Sequence, residues 1–204
     1  MRTVDPAKHA AKRRAIVDAA AGCFAEKGLE RTTTADICRA AGISSGSLFH
    51  YFPSKRAVFT AIFEEDAVET AARLAAAAEA DDPWAALLDV VTELAGQLAH
   101  PAVARLVLEA AAQAARDDEF AHLIHRNDGA LRDGLAVLVE QAADAGLIDP
   151  GIPSRAAAGW VAGLLDAIIS RASLDPDLDR AAELAILRTI LVRFLRPVSS
   201  PDGG

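Results

Sequence analysis

The sequence predicts an all-α protein, and three observations carry that expectation. Alanine and leucine dominate a chain of 204 residues in which aromatic residues make up only 5%, a bias toward strong helix formers. Apolar residues return at spacings of three, four and seven over long stretches, the signature of helices with one buried face. No run of alternating β-branched residues offers a half-buried strand. The start and stop signals mark about nine helices, in a chain long enough to bury a sizeable core.

The elements follow in order. Ile16, Ala20, Cys23 and Phe24 share one face of a helix that begins near Pro6 or Ala7, and Gly28 stands where a C′ glycine ends it. Lys12, Arg13 and Arg14 occupy its early turns, where the helix dipole favours acids; phosphate contact and ordinary solvation both account for them. Thr33 is the N-cap of a second helix, with Asp36 three residues on completing a capping box. Ile37 and Ala41 face inward before Gly42 breaks that helix, and Ser44 caps a third that runs through Tyr51 to the stop at Pro53. Ser54 caps a fourth, which continues through Val58, Ile62 and Phe63 to Ala80. Asp81-Asp82-Pro83, His100-Pro101 and Asp117-Asp118 open three more, the last ending near Gly146. Beyond the turn-rich Asp149-Pro150-Gly151-Ile152-Pro153, helices over 154–172 and 178–195 complete the chain.

Charge divides the molecule. The formal net charge is −8, yet residues 1–60 hold ten Lys/Arg against five Asp/Glu, a balance of +5 that leaves −13 for the rest. A basic unit can hold phosphates, while an acidic body keeps the remaining surface off the same polyanion. Ala41-Gly42-Ile43-Ser44 joins the second and third helices with a glycine for the reversal and an apolar plug, Ile43, as a helix-turn-helix requires. The third helix is then the one that enters the major groove, N-terminal end first.

Ile16 through Lys55, with Ala19-Ala20, Phe24, Gly28, Thr32-Thr33, Asp36-Ile37, Ala41-Gly42-Ile43-Ser44, Gly46, Leu48 and Tyr51-Phe52-Pro53-Ser54-Lys55, resembles the DNA-binding domain of the TetR/AcrR family. The resemblance implies an N-terminal three-helix DNA-binding domain over 1–56, a helical dimerisation and effector-binding domain over 57–197, and a flexible tail over 198–204. It also implies roles by position. Thr33 or Thr34, Tyr51 and Lys55 match positions that hold DNA phosphates; Ser45, Gly46, Ser47, Leu48, Phe49 and His50, capped by Ser44, match the segment that faces base edges. Phe49 replaces a frequent tyrosine and Ser45 a frequent longer basic residue. With no Arg, Asn or Gln between Ser45 and His50, bidentate base recognition by this helix is unavailable, and specificity rests on apolar contact, His50, DNA shape and help from Arg39.

In the body, Ala156–Ile169 is apolar around almost its whole circumference, Asp166 being its one charge, which predicts burial on two sides. Gly159 and Gly163 allow close helix approach, and Leu184, Leu187, Ile190, Leu191, Phe194 and Leu195 give the last helix a broad apolar surface. A symmetric four-helix contact through these two helices of each chain predicts a homodimer, which reads a palindromic double-stranded operator. The resemblance further implies an effector pocket for an unknown small molecule. Arg105, Glu109 and Gln113 form a polar line at i, i+4 and i+8 that is either an exposed ion pair or the polar wall of that pocket among Trp84, Phe120 and Trp160. The expected function is a transcriptional regulator, read as a repressor released by its effector, with an activator or constitutive DNA binder as the alternatives.

Other classes are disfavoured. Gly42-Ile43-Ser44-Ser45-Gly46 has the letters of a hydrolase nucleophile elbow, but the elbow needs a strand before its serine and a helix is expected there. Cys23 and Cys38 are too few for a disulfide scaffold and are read as buried reduced thiols. His122 and His125 lie three apart without a third ligand, so no metal and no cofactor are expected. No uncharged apolar stretch reaches about 18 residues and Met1–Asp5 lacks a signal-peptide core, so a cytoplasmic protein with no membrane partner is expected.

Overall fold

The computed structural model describes residues 6–175 and 177–197; the tail expected over 198–204 lies outside them. Among the described residues nine helices occur: α1 (Pro6–Arg31), α2 (Thr34–Ala41), α3 (Ser45–Tyr51), α4 (Lys55–Ala78), α5 (Pro83–Leu98), α6 (Pro101–Ala114), α7 (Asp118–Asp144), α8 (Ser154–Leu174) and α9 (Arg180–Leu195). The only extended pairing among them is an isolated antiparallel bridge between Ile148 and Pro197.

Local chemistry sets most of the boundaries. Thr33 accepts from the Asp36 N–H while Asp36 accepts from the Thr33 N–H, a reciprocal capping box. Gly42 ends α2 in the left-handed region at φ 62°, ψ 37°. Ser44 caps α3 through the Ser47 N–H and Ser54 caps α4 through the Ala57 N–H. Asp82, with Pro83 in the first turn, starts α5, and Asp179 starts α9.

Two compact units result. The described residues up to Asp66 join with Arg105–Ile124 in one; Ala67–Ala104 and the described residues from His125 onward form the other. This division differs from a boundary at residue 56, and the reason is aromatic packing. Phe24 of α1 meets Phe59 of α4 edge-on at 5.1 Å, and Phe59 and Phe63 both meet Phe120 of α7, at 5.4 and 5.5 Å. The start of α4 and the segment 105–124 therefore share the core of the first unit with Ile16, Ala20, Ile37, Leu48 and Phe52.

In the second unit α5 packs on α8 and α9. Leu87, Val91 and Leu94 of α5, Leu135, Leu138 and Val139 of α7, Val161 and Leu165 of α8, and Leu187, Leu191 and Leu195 of α9 belong to one continuous buried cluster. Helix α8 buries only one side there: Ala157, Val161, Leu165 and Ile168 point in, while Trp160 is 69% exposed and Leu174 is exposed too. On length and hydropathy alone α8 is apolar enough to cross a membrane, but its buried face is core in this unit. Cys38 is buried and Cys23 half-buried, both as free thiols.

Gly28 departs from the expected left-handed cap. Its φ of 76° and ψ of 167° lie in a region essentially reserved for glycine, and a Cβ there would sit 3.2 Å from Glu109 Oε2. Gly28→Ala is expected to destabilise the chain by about 1–3 kcal/mol, read as a lower urea midpoint with an unchanged slope; an unaltered midpoint would show that this backbone is not needed.

Candidate nucleic-acid interface

The end of α1 orients everything that follows it, and side chains from several segments hold it. Helix C-termini leave carbonyls without partners and carry partial negative charge. Here Thr32 Oγ1 donates to the carbonyl of Gly28 (2.7 Å), with that of Cys23 at 3.2 Å sharing the same proton, and Arg31 Nε donates to Lys27 O (2.9 Å). Lys55 Nζ, from the first residue of α4, donates to Leu29 O (2.5 Å) and Glu30 O (3.0 Å). Arg105 Nε of α6 donates to Ala25 O at 3.1 Å, and Glu109 Oε1, one turn on, accepts from the Leu29 N–H at 2.9 Å.

From that anchor α2 and α3 are fastened inward. Ile37, Cys38, Leu48 and Phe52 are buried, and Ile43 fills the turn half-buried. Asp36 binds Lys27 at 2.9 Å and Arg39 at 3.2 Å. The Lys27 ammonium, followed by the Thr33 hydroxyl and amide, holds the Asp36 carboxyl far below the usual carboxylate range. Arg13 of α1 lies over the Phe52 ring at 5.0 Å and pairs with Glu65. Arg56 pairs with Asp117, whose carboxylate also accepts from the Phe120 N–H at the start of α7.

What remains outward is the candidate reading face. Ser44, Ser45, Gly46, Phe49 and His50 are exposed, Phe49 at 52%; Ser47 and Tyr51 are half-buried. Leu48 is corrected: at 1% exposure it is a core residue of α3 and does not face bases. Its side chain turns into the core on the side it shares with Phe52, four residues on and also buried. Thr33 is exposed and Thr34 half-buried at the start of α2. Lys55 is half-buried, two of its three N–H donors already on α1. His9 of α1, unremarked by sequence reasoning, brings its ring to 4.6 Å from that of Tyr51. Ser44 uses its hydroxyl as a helix cap after a helix, not a strand, the arrangement of a turn and not of a nucleophile elbow.

The residues expected around an effector divide between the two units. Arg105 and Glu109 hold the end of α1, Gln113 reaches Asp117 at 3.4 Å, and Phe120, 3% exposed, is packed among phenylalanines, all in the first unit. Trp84, partly buried against the core, and the exposed Trp160 belong to the second. The i, i+4, i+8 spacing is real, but the partners of Arg105 and Glu109 are backbone groups eighty residues away, which no local pattern reveals. The second unit has surface cavities of about 290 Å³, lined by His100, Asp175 and Arg180 among others, and about 420 Å³, lined by Asp133, Glu140 and Arg155 among others; none of the six residues lines either. Among the described residues no metal-binding cluster of three or more His, Cys, Asp or Glu occurs.

Comparison with known proteins matches residues 16–62 to the family of bacterial regulatory proteins of the tetR type and residues 83–196 to the C-terminal domain of BetI-type transcriptional repressors. The HTH-type transcriptional regulator YfiR of Bacillus subtilis is 29% identical over 168 residues, 81% of this chain and 82% of that protein. The HTH-type transcriptional repressor Rv1474c of Mycobacterium tuberculosis is 44% identical over 63 residues, 31% of this chain and only 34% of its own length. A solved structure of GusR from Salmonella enterica superposes with a TM-score of 0.69 at 26% identity, covering 91% of this chain and 95% of that one.

The depressed Asp36 carboxyl gives a pH test. A group whose pKa falls on folding stabilises fully above its unfolded value and loses that contribution as pH drops through the folded one. The stability gap between wild type and Asp36→Asn, measured by thermal melting, is expected to be constant from neutrality down to about pH 4 and to close only in stronger acid. A gap that closes near neutrality would contradict this.

Proposed function

The chain belongs to the tetR family of bacterial regulatory proteins, and from that premise we propose that it is a homodimeric repressor, holding a palindromic operator with α3 and releasing it when a small molecule binds its helical body. The observation that carries the DNA reading is the outward face of α3. Ser45, Gly46, Phe49 and His50 stand clear of the core, on a helix pinned from behind by Leu48 and Phe52, within the basic part of the chain. Thr33, Thr34, Tyr51 and the third donor of Lys55 are the phosphate contacts in this reading, and Ser44 and Ser47 border the bases. Phosphate contacts supply affinity without sequence information, whereas the edge of His50 and the ring of Phe49 supply preference.

Dimerisation follows from the uncovered side of the last two helices. Trp160 and Leu174 of α8 and Ile186, Ile190 and Val192 of α9 are exposed large apolar residues, and a second copy related by a two-fold axis covers them with the same patch. Two copies of α3 then read half-sites about 34–36 Å apart, or a multiple of that.

For effector control, α6 is the lever. It continues from Pro101 into the residues that grip α1, so a ligand favouring a state in which Arg105 and Glu109 leave Ala25 and Leu29 withdraws support from α2 and α3.

Selection of bound sequences from a random DNA pool, repeated with candidate small molecules, is expected to enrich an inverted repeat whose binding weakens linearly in log affinity against log salt. Lys55→Ala is expected to weaken every sequence alike, and His50→Ala to alter the enriched sequence; no enrichment by wild type would refute the reading. In sedimentation at micromolar concentration, wild type is expected as a dimer and Trp160→Glu/Ile186→Glu as a folded monomer. A monomeric wild type refutes the dimer.

A further inference from the structure

We propose that His9 of α1 is a positioning residue for sequence preference, fixing the rings of Tyr51 and His50 at the end of the reading helix; the inference rests on the DNA-binding role of α3. Three rings from two helices meet at one place. His9 and Tyr51 have centroids 4.6 Å apart with planes tilted by 37°, His50 stands edge-on to Tyr51 at 5.2 Å and 86°, and His9 and His50 are 6.1 Å apart at 77°. These separations fall in the range where aromatic pairs attract beyond simple area burial.

The contact is one half of a stripe. Four residues after His9, on the same face of α1, Arg13 lies over the ring of Phe52 and pairs with Glu65. Consecutive aromatic residues at the end of α3 are thus each covered by one residue of α1, at i and i+4. The stripe fixes how far along α1 the end of α3 lies, with Arg13 supplying the anchor and His9 the contact nearest the exposed face.

The chemistry of α3 makes that contact matter. Between Ser45 and His50 the imidazole of His50 is the one side chain that combines reach with ring nitrogens able to donate or accept. An exposed side chain at the end of a seven-residue helix loses rotamer freedom when it settles on a base edge. Rings of Tyr51 and His9 beside it remove part of that freedom beforehand, and the same stacking aims the Tyr51 hydroxyl. His9 therefore contributes through the residues it touches, without itself reaching DNA.

The test uses the full chain. Wild type, His9→Ala, His9→Phe, His50→Ala and His9→Ala/His50→Ala are compared by sequence selection and by affinity for the wild-type site across a salt series, with melting temperatures taken alongside. His9→Ala is expected to weaken the selected site about two- to tenfold and to relax preference at the same base pairs as His50→Ala, with the salt slope unchanged. His9→Phe, which keeps a ring, is expected to restore the preference, and the double variant to be no less selective than His50→Ala alone. If wild type selects a site and His9→Ala selects it equally, the proposal is wrong. A lower salt slope in both His9 variants without rescue by phenylalanine also overturns it, in favour of a direct phosphate contact. Should wild type select nothing, it is the DNA-binding reading that fails.

Discussion

The C-terminal end of α1 is the constraint on which the first unit depends. Its last carbonyls are taken by Thr32, Arg31, Lys55 and Arg105, and the freed amide of Leu29 is taken by Glu109. Apart from the exposed Arg31 bond, these satisfy partly buried groups that would cost free energy unpaired, and together they connect α1 to α4 and α6. The unusual backbone of Gly28 makes the arrangement possible, because it turns Leu29 toward Glu109 and leaves no Cβ in the way of the carboxylate. The direction in which α2 leaves is constrained at this point, and the capping box, the Gly42 turn and the buried Ile37, Leu48 and Phe52 then set α2 and α3 against the core.

The same region shows how cations are divided between fold and ligand. Arg13, Lys27, Lys55 and Arg56 each have structural partners in Glu65, Asp36, backbone carbonyls and Asp117. A count of basic residues therefore overstates the number of phosphate grips. The excess of positive charge belongs to residues 1–60 and not to the whole first unit, whose added acids in 64–66, at Glu109 and in 117–119 cancel it; a field that favours a polyanion and weakens with salt is therefore local to α1–α3.

Sequence alone disclosed the elements whose cause is local. The capping box at Thr33 and Asp36, the glycine stop at Gly42 and the serine caps at Ser44 and Ser54 each act within three or four residues, so a linear reading captures them. Leu48 was assigned to the reading segment because resemblance marks a stretch, whereas its inward direction depends on which side of α3 meets the core. By spacing alone Arg105 and Glu109 fit either an exposed ion pair or an effector-pocket wall with Phe120 beside it, and nothing local decides between the two. The partners of these three residues, Ala25, Leu29 and the α4 phenylalanines, lie far away in the chain. The stripe formed by His9 and Arg13 was invisible for the same reason: stacking on Tyr51 and Phe52 is tertiary.

The division of α3 into a pinned back and an unencumbered front has an evolutionary consequence. A Cβ added at Gly46 would meet nothing closer than Ser44 Oγ at 4.0 Å, and the exposed Ser45 and Phe49 stand outside the core. Surface substitutions away from caps and cores change stability little, so these three positions can drift with small cost to folding while Leu48 and Phe52 stay constrained. A lineage built on this scaffold can remodel the exposed surface of its third helix by changing a few side chains, with the packing behind that helix carried along intact.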